Sequence, residues 1–135
     1  MTILVTDQGF APDTYTGTFV PLGEAANDVR ALDVPSDADP DTLADRLSAE
    51  VIRVDFPSFA DGRGFTIAAR LRRMGFAGRL RARGHVISDQ YAMARRSGFD
   101  EVEISDELAQ RQPEPEWLFR SQWRDHDYQS RLRDS

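Results

Sequence analysis

Residues 51–65 read VIRVDFPSFADGRGF, and this stretch decides the fold class of the chain. The apolar, β-branched run at its start is typical of a buried strand, and the run stops at Asp55. A short loop containing Gly62 and Gly64 follows, and a helical pattern begins at once. Many α/β proteins use a strand, a glycine-containing loop and a helix in this order to hold an anion or a catalytic group at the carboxyl end of the strand. We therefore expect the functional site at that end.

The same order of strand and helix repeats along the chain. Strands are predicted near residues 30–34, 51–56, 80–86 and 101–104, and a helical pattern follows each of them. Four successive βα units with short connections favour a parallel sheet with right-handed crossovers. The sequence therefore predicts an α/β fold, either a small open doubly wound sheet or half of a (β/α)₈ barrel. A half-barrel has two bare sheet edges, so it also predicts a homodimer or cover from the terminal segments.

The whole chain, residues 1–135, is predicted to form a single domain in three segments. Residues 1–28 are a short N-terminal β segment, residues 29–112 are the βα core, and residues 113–135 are a C-terminal helical tail. A chain of this length buries about two thirds of the surface that its unfolded form exposes, which is enough for a core of its own.

Turn and cap residues predict where the elements begin and end. In the N-terminal segment, strands are expected at residues 3–6 and 15–20, with a turn between them at Gly9 and Pro12. Helices are expected to begin at polar caps and to end at a glycine. The expected caps are Asp39, Ser88 with Asp89, and Ser105 with Asp106, and the expected terminating glycine is Gly98.

Composition excludes several kinds of chemistry. The chain contains no cysteine and no lysine. It therefore supplies no thiol nucleophile, no cysteine ligands for an iron–sulfur cluster, no Schiff-base amine and no P-loop lysine. The net charge is −6, yet residues 61–100 carry nine arginines against three acids. A basic centre within an acidic protein favours a local anion site over a nucleic-acid surface, because nucleic-acid phosphates would be repelled at long range.

Neither membrane insertion nor export is expected. The chain has no run of about twenty apolar residues, the length of a membrane-spanning helix. Its first residues, MTILVTDQGF, lack the basic region and the small-residue cleavage site of a signal peptide. We therefore expect a cytoplasmic protein that contacts neither a membrane nor nucleic acid.

Two sets of candidate site residues lie at the predicted carboxyl ends of the strands. Carboxylates whose pKa is raised by burial, and an imidazole, suit general acid–base catalysis. An arginine flanked by glycines at a helix N-terminus suits an anion, because free backbone amides, the helix dipole and the planar guanidinium all favour negative charge. The acid–base candidates are Asp55, Asp61, His85 and Asp89, and the anion-binding candidates are Gly62, Arg63 and Gly64.

Each candidate also has a structural explanation. Gly62 and Gly64 serve equally well in a tight turn that requires positive φ, and His85 serves as a hydrogen-bonded residue at a strand end. A triad of Ser88, His85 and Asp89 matches no known nucleophile elbow in its spacing. Mixed oxygen and nitrogen ligation by the four acid–base candidates is conceivable, but no metal is predicted.

Two stretches of the chain resemble a bacterial family of uncharacterised proteins, domain-of-unknown-function family 934. They are VDFPSFADGRGF at residues 54–65 and LRARGHVISDQYAMARRSGFDEVEI at residues 80–104. The resemblance covers roughly residues 29–105. Besides the candidates already named, its most specific residues are Phe56, Pro57, Gln90 and Arg96.

This resemblance implies a role in sulfur assimilation, because members of the family are commonly labelled as predicted oxidoreductases associated with sulfite reduction. We expect an accessory protein of assimilatory sulfate or sulfite reduction that binds an oxyanion at the carboxyl ends of its strands. The implied partners are sulfite reductase or the reductase of activated sulfate. One alternative is an oxidoreductase subunit whose cofactor is carried by a partner, since this chain shows no cofactor motif. Another is a small acid–base enzyme that acts on an anionic substrate.

Overall fold

The computed structural model describes residues 2–15 and 17–121. The strands in these residues are β1 (Thr2–Thr6), β2 (Gly9–Pro12), β3 (Val20–Pro21), β4 (Ala31–Val34), β5 (Val51–Phe56), β6 (Arg79–Gly84) and β7 (Glu101–Ser105). The α-helices are α1 (Arg63–Arg73), α2 (Tyr91–Ser97), α3 (Asp106–Arg111) and α4 (Glu114–Arg120), and 3₁₀ helices span Leu22–Glu24, Pro40–Arg46 and Ser88–Gln90. None of the helices in the described ranges is long and apolar enough to cross a membrane.

The strands form one sheet in the order β2-β1-β7-β6-β5-β4-β3. Strands β3 to β7 run parallel to one another, whereas β1 pairs antiparallel with both β2 and β7. The predicted α/β class is confirmed. The sheet is only partly parallel, however, because the N-terminal hairpin adds two antiparallel strands at one edge. The connection between β4 and β5 is also a 3₁₀ helix, where an α-helix was expected.

The N-terminal hairpin is tighter than the sequence predicts. Thr6 pairs with Gly9, so Asp7 and Gln8 alone make the turn. Gly9 has a φ of 110°, which a residue with a side chain rarely adopts. Gly9 therefore begins the second strand, β2, instead of lying in a longer turn that reaches Pro12.

The predicted strand at residues 15–20 is wrong, since among the described residues 15 and 17–20 only Val20 lies in a strand, the short β3. The carboxylate of Asp13 accepts a hydrogen bond from the backbone N–H of Tyr15 at 3.1 Å. It also accepts bonds from the guanidinium of Arg81 at 2.9 and 3.2 Å. These bonds tie the chain to one face of the sheet, away from the path of an edge strand.

Alternation along the strands gives the sheet two faces of different chemistry. The apolar face packs with the buried sides of the helices into one core, and its residues include Leu32, Val34, Ile52, Val54, Leu80, Ala82, Val102 and Ile104. The opposite face, which we call the charged face, carries Asp33, Arg53, Asp55, Arg79, Arg81, Arg83, Glu101 and Glu103. Parallel sheets are normally apolar on both faces, so a charged face needs its own explanation.

The expected helix boundaries hold except at one cap. Gly98 ends α2 with a φ of 114°, and the hydroxyl of Ser105 accepts a backbone N–H of α3 at 3.1 Å. The carboxylate of Asp39 caps the 3₁₀ helix that follows β4. Ser88 and Asp89 do not cap a helix, because both lie within the 3₁₀ helix Ser88–Gln90, and α2 begins only after it. The backbone N–H of Ser88 donates to the side-chain oxygen of Gln112 at 2.8 Å.

Helix α4 fixes the start of the predicted C-terminal tail to the core. Trp117 is buried, and its indole N–H donates to the carbonyl oxygen of Gln112 at 2.8 Å. The carboxylate of Glu114 accepts the backbone N–H of Phe10 at 2.7 Å and so covers part of the outer edge of β2. The rest of the predicted tail, residues 122–135, lies outside the described residues.

Candidate functional site

Ion pairs form a ladder across the charged face; its members are Asp13, Asp33, Arg53, Arg79, Arg81, Glu101 and Glu103. Arg81 lies at the centre and has no exposed surface. Its guanidinium donates to Glu101 at 2.6 Å and to Glu103 at 2.8 Å. Arg53 donates to both carboxylate oxygens of Asp33, at 2.6 and 2.7 Å. These short, charge-assisted bonds explain how charged residues can occupy the face of a parallel sheet.

The arginines at the centre of the ladder are already committed to partners within the chain. Burial lowers the pKa of Arg81, but hydrogen bonds to Asp13 and Glu103 outweigh it and raise the pKa above its ordinary value. The ring of Phe19 covers the guanidinium of Arg53, with 3.8 Å between the ring centroid and the guanidinium carbon. An external anion would have to break these contacts to bind here. The ladder is therefore structural.

The ladder is open at the carboxyl end of the strands, where Asp55 and Arg83 are neighbours in register. Arg83 is 49% exposed, and the one ion pair it makes within the described ranges is to Glu103, 3.5 Å from its Nε. The side-chain carboxylate of Asp55 makes no hydrogen bond or ion pair with any described residue. Asp33 and Arg53 have the same register relation on β4 and β5, yet they bond closely. Register alone therefore does not keep Asp55 and Arg83 apart.

A cleft of about 450 Å³ opens beside Asp55 and Arg83. It forms where β3 ends after two residues and the chain turns into the 3₁₀ helix Leu22–Glu24. A largely apolar wall with a few converging polar groups is typical of small-ligand sites. We call this space the edge cleft, and the remaining residues of its lining are Pro21, Leu22, Gly23, Asp33, Val34 and Pro35.

The predicted anion loop already holds a carboxylate of the chain itself. Asp61 accepts the backbone N–H of Arg63 at 3.1 Å and two guanidinium bonds from Arg63, at 3.0 and 2.8 Å. The guanidinium also donates to the hydroxyl of Ser36 at 3.1 Å. The bonds from Arg63 hold the pKa of Asp61 well below its ordinary value. Asp61 thus takes the place at the N-terminus of α1 that an external anion would occupy.

Replacing Arg63 by glutamine is expected to raise the pKa of Asp61 toward the ordinary value of about 3.9. In the native chain this carboxyl has a lowered pKa, so the pair stabilises the fold above pH of about 4 and the stabilisation is lost as the pH falls through the lower, folded-state value. A carbon-13 NMR titration of the side-chain carboxyl measures the shift. Arg73→Gln, at an exposed arginine at the end of α1, is the control. Equal midpoints in the native and Arg63→Gln chains would contradict this assignment.

Two glycines of the candidate region are explained by their close approach to Phe56. A Cβ on Gly64 would lie 2.4 Å from the ring of Phe56, so the glycine lets α1 pack closely on β5. Gly84 has a φ of 107°, and its Cβ would lie 2.8 Å from the backbone oxygen of Phe56. Gly62 has a φ of −92°, so neither glycine of the loop has the positive φ that a tight turn could require. Phe56 is buried in the core, where it serves packing.

His85 and Asp89 each make contacts that fix a loop. The backbone N–H of His85 donates to the carbonyl oxygen of Phe56 at 3.0 Å, and its ring Nδ1 lies 3.2 Å from the same oxygen. The ring of Phe59 meets the imidazole edge-on, with 5.1 Å between the ring centroids. Asp89 forms an ion pair with Arg120 of α4 at 2.8 Å. Both residues therefore join neighbouring segments at the carboxyl edge of the sheet.

The structure does not bring the four acid–base candidates into one cleft. Asp55 lines the edge cleft, Asp61 binds its neighbouring arginine, His85 lines a cleft of about 220 Å³, and Asp89 lines another of about 400 Å³. Among the described contacts, no hydrogen bond joins Ser88, His85 and Asp89 into a triad. Over residues 2–15 and 17–121, no group of three or more His, Cys, Asp or Glu side chains is placed to hold a metal ion.

The remaining residues of the sequence resemblance lie in the loops and on α2. The side-chain amide of Gln90 donates to the carbonyl oxygen of Phe59 at 2.9 Å and accepts the N–H of Ile87 at 3.1 Å. It thereby ties the loop after β5 to the loop after β6. Pro57 is exposed in the first of these loops, and Arg96 is exposed on α2.

A family model described as a bacterial protein of unknown function, DUF934, matches residues 31–135. The chain belongs to this family. The match includes Asp55, Arg83 and the loop around Arg63, and it continues through the tail beyond residue 105, where the resemblance was expected to end. No curated protein and no solved structure matches the chain.

Arg83 is the residue of this DUF934 chain that the sequence prediction missed. The stretch RLRARG repeats arginine at every second position, which places Arg79, Arg81 and Arg83 on one face of a strand. The neighbouring run VIRVD places Arg53 and Asp55 on a single face by the same rule. Charged residues at every second position thus predict a charged face of the sheet, but this pattern does not indicate which arginine is open to a ligand.

Proposed function

We propose that this DUF934 chain is an accessory protein of sulfite reduction that binds an oxyanion group through Arg83 in the edge cleft. The observation that carries the proposal is the open end of the ladder. There, the half-exposed guanidinium of Arg83 lines a largely apolar cleft, and its one ion pair in the described ranges is 3.5 Å long. The neighbouring carboxylate of Asp55 is bound by no described residue. The planar fork of an arginine pairs with carboxylate, sulfonate, sulfate or phosphate oxygens through two parallel bonds.

Arg83 is better suited than Arg63 to this role. Arg63 is 60% exposed, but two of its guanidinium nitrogens are engaged by Asp61, which neutralises its charge. The carboxylate that pairs with Arg83, that of Glu103, is shared with Arg53 and Arg81, which bind it at closer range. Arg83 therefore keeps more of its charge and of its hydrogen-bonding capacity for a ligand.

Replacing Arg83 by glutamine is expected to weaken the binding of sulfite, sulfate or phosphate by about tenfold or more, because a charge-assisted bidentate contact is worth roughly 1.5–3 kcal/mol. Isothermal titration of the full chain measures this. Arg73→Gln is the matched control, since Arg73 is exposed and lies outside the edge cleft. Equal binding by the native chain and Arg83→Gln, or a larger loss in Arg63→Gln, would contradict the proposal.

The assignment to sulfite reduction rests on the family resemblance. It is supported if affinity capture from the native cells, with the tagged chain as bait, recovers a subunit of sulfite reductase or of the activated-sulfate reductase. Sulfite-dependent transfer of electrons through such a complex would favour the alternative of an oxidoreductase subunit with a partner-borne cofactor. If neither reductase is recovered from cells growing on sulfate, the assignment to sulfite reduction is wrong.

A second candidate function is acid–base catalysis by Asp55 on an anionic substrate. This function is favoured because no described residue binds the carboxylate of Asp55, so a substrate proton can reach it. Arg83 would then orient the substrate and Asp55 would accept or donate the proton. Asp55→Asn separates the two functions, because it would abolish turnover and leave Arg83-dependent binding in place.

A further inference from the structure

We infer that the ligand of the edge cleft is a small organic molecule that carries a cationic or hydrogen-bond-donating group beside its oxyanion group. The inference rests on the proposed function, in which Arg83 holds the oxyanion group. It names the class of ligand that the rest of the cleft accepts.

The first argument is the charge beside Arg83. Asp55 is the register neighbour of Arg83 on the next parallel strand, and adjacent strands lie about 4.8 Å apart. An inorganic oxyanion bound to Arg83 would be placed next to this carboxylate, and the two like charges would repel. A ligand that brings a positive or donating group to Asp55 converts that repulsion into a bond.

The second argument comes from a matched pair within the same sheet. Asp33 and Arg53 are also register neighbours, and they close on each other through two bonds of 2.6 and 2.7 Å. Among the described contacts Asp55 and Arg83 form no such ion pair, and both line the same cleft. The open pair thus offers an acceptor and a donor side by side, which matches the two polar groups of a zwitterion or of a hydroxylated acid.

The third argument is the wall of the edge cleft. Pro21, Leu22 and Pro35, which are exposed or half-buried, supply apolar atoms to its lining. Such a surface contributes little to the binding of an inorganic ion, which makes only polar contacts. It favours a ligand with carbon atoms between or beside its polar groups, because burial of those atoms releases water.

The fitting class is a short aminosulfonate, aminocarboxylate or hydroxylated analogue, with the two polar groups separated by a few bonds. Three sulfonates of similar size isolate the second group. Taurine offers an ammonium, isethionate offers a hydroxyl, and 1-propanesulfonate offers a methyl group. Inorganic sulfate serves as the anion without a carbon body.

Titration calorimetry of the full chain with these four probes tests the inference. Taurine is expected to bind about tenfold more tightly than 1-propanesulfonate and more tightly than sulfate, with isethionate between the two sulfonates. Asp55→Asn should remove most of that preference without weakening 1-propanesulfonate or sulfate. Asp55→Glu, which keeps the charge, should retain the ranking. Asp45→Asn, at an exposed position of the 3₁₀ helix Pro40–Arg46, is the control and should change nothing.

The outcomes separate this inference from the proposed function. If all four probes bind with similar affinity and all lose binding in Arg83→Gln, the oxyanion site stands and the ligand class is wrong. If taurine is preferred but the preference survives Asp55→Asn, the role assigned to Asp55 is wrong. If no probe depends on Arg83, the proposed function itself fails. Circular dichroism of each variant confirms that the fold is retained before the titrations are compared.

Discussion

Arg81→Met is expected to lower the free energy of unfolding by about 3–5 kcal/mol at neutral pH, because removal of one partner from a buried ion-pair network leaves the other charges uncompensated. Arg81 has no exposed surface, and Glu101 and Glu103, which it binds, are also buried. The carboxylate of Asp13 would lose both guanidinium bonds as well. Methionine nearly fills the space of the removed side chain, so the loss of stability comes mainly from the missing charge and not from a cavity.

Urea denaturation followed by circular dichroism measures this change. Arg83→Met is the matched control, since Arg83 lies two residues along the same strand and face but is half exposed, with a long ion pair to Glu103. Its expected effect is below about 1 kcal/mol, the usual range for an exposed pair. A similar loss in both variants would show that the ladder does not stabilise the charged face in the way described.

Gly84→Ala is expected to destabilise the fold by about 2–4 kcal/mol, through two independent effects. Gly84 has a φ of 107°, which disfavours any residue with a side chain by about 1–3 kcal/mol. In addition, the new Cβ would lie 2.8 Å from the backbone oxygen of Phe56, an atom that cannot move aside without shifting β5. The variant therefore strains both the backbone and the packing at the carboxyl edge of the sheet.

Two other glycines separate these effects. Gly75 has a φ of 102°, and a Cβ added there would have no atom of the described residues within 4 Å, so Gly75→Ala should show the backbone strain alone. Gly23 has neither a positive φ nor a described atom near its Cβ position, and Gly23→Ala should be close to neutral. Thermal and urea denaturation should rank the losses as Gly84, then Gly75, then Gly23. A loss at Gly75 equal to that at Gly84 would contradict the close approach to Phe56.

The strands of the core are readable from local sequence because their cause is local. The predicted strand at 51–56 coincides with β5, where burial alternates from Ile52 to Phe56 and the loop begins at Pro57. The position of Asp13 on the charged face was not predictable in this way. It depends on the bond between Asp13 and Arg81, which are 68 residues apart in the chain.

The proposed site lies at the edge of the sheet that the sequence predicts, but it uses an arginine that the sequence prediction does not single out. The rule that ligands bind at the carboxyl ends of parallel strands predicts a site at the edge that holds Asp55 and the loop around Arg63. Arg63 stood out because glycines flank it, but the neighbouring Asp61 binds its guanidinium. Arg83 is distinguished because Glu103, its register neighbour, binds Arg53 and Arg81 more closely, and this sharing depends on contacts between three strands. Local pattern does not contain this information.

The most direct test of the proposed site follows the side-chain Nε–H signals of the arginines by nitrogen-15 NMR while the chain is titrated with sulfite and, separately, with taurine. We expect the signal of Arg83 to move in a saturable way, with the signals of Arg53 and Arg81 nearly fixed, because these two are held within the ladder. Saturable movement of the Arg63 signal with Arg83 unchanged would contradict the account, as would the absence of any arginine response.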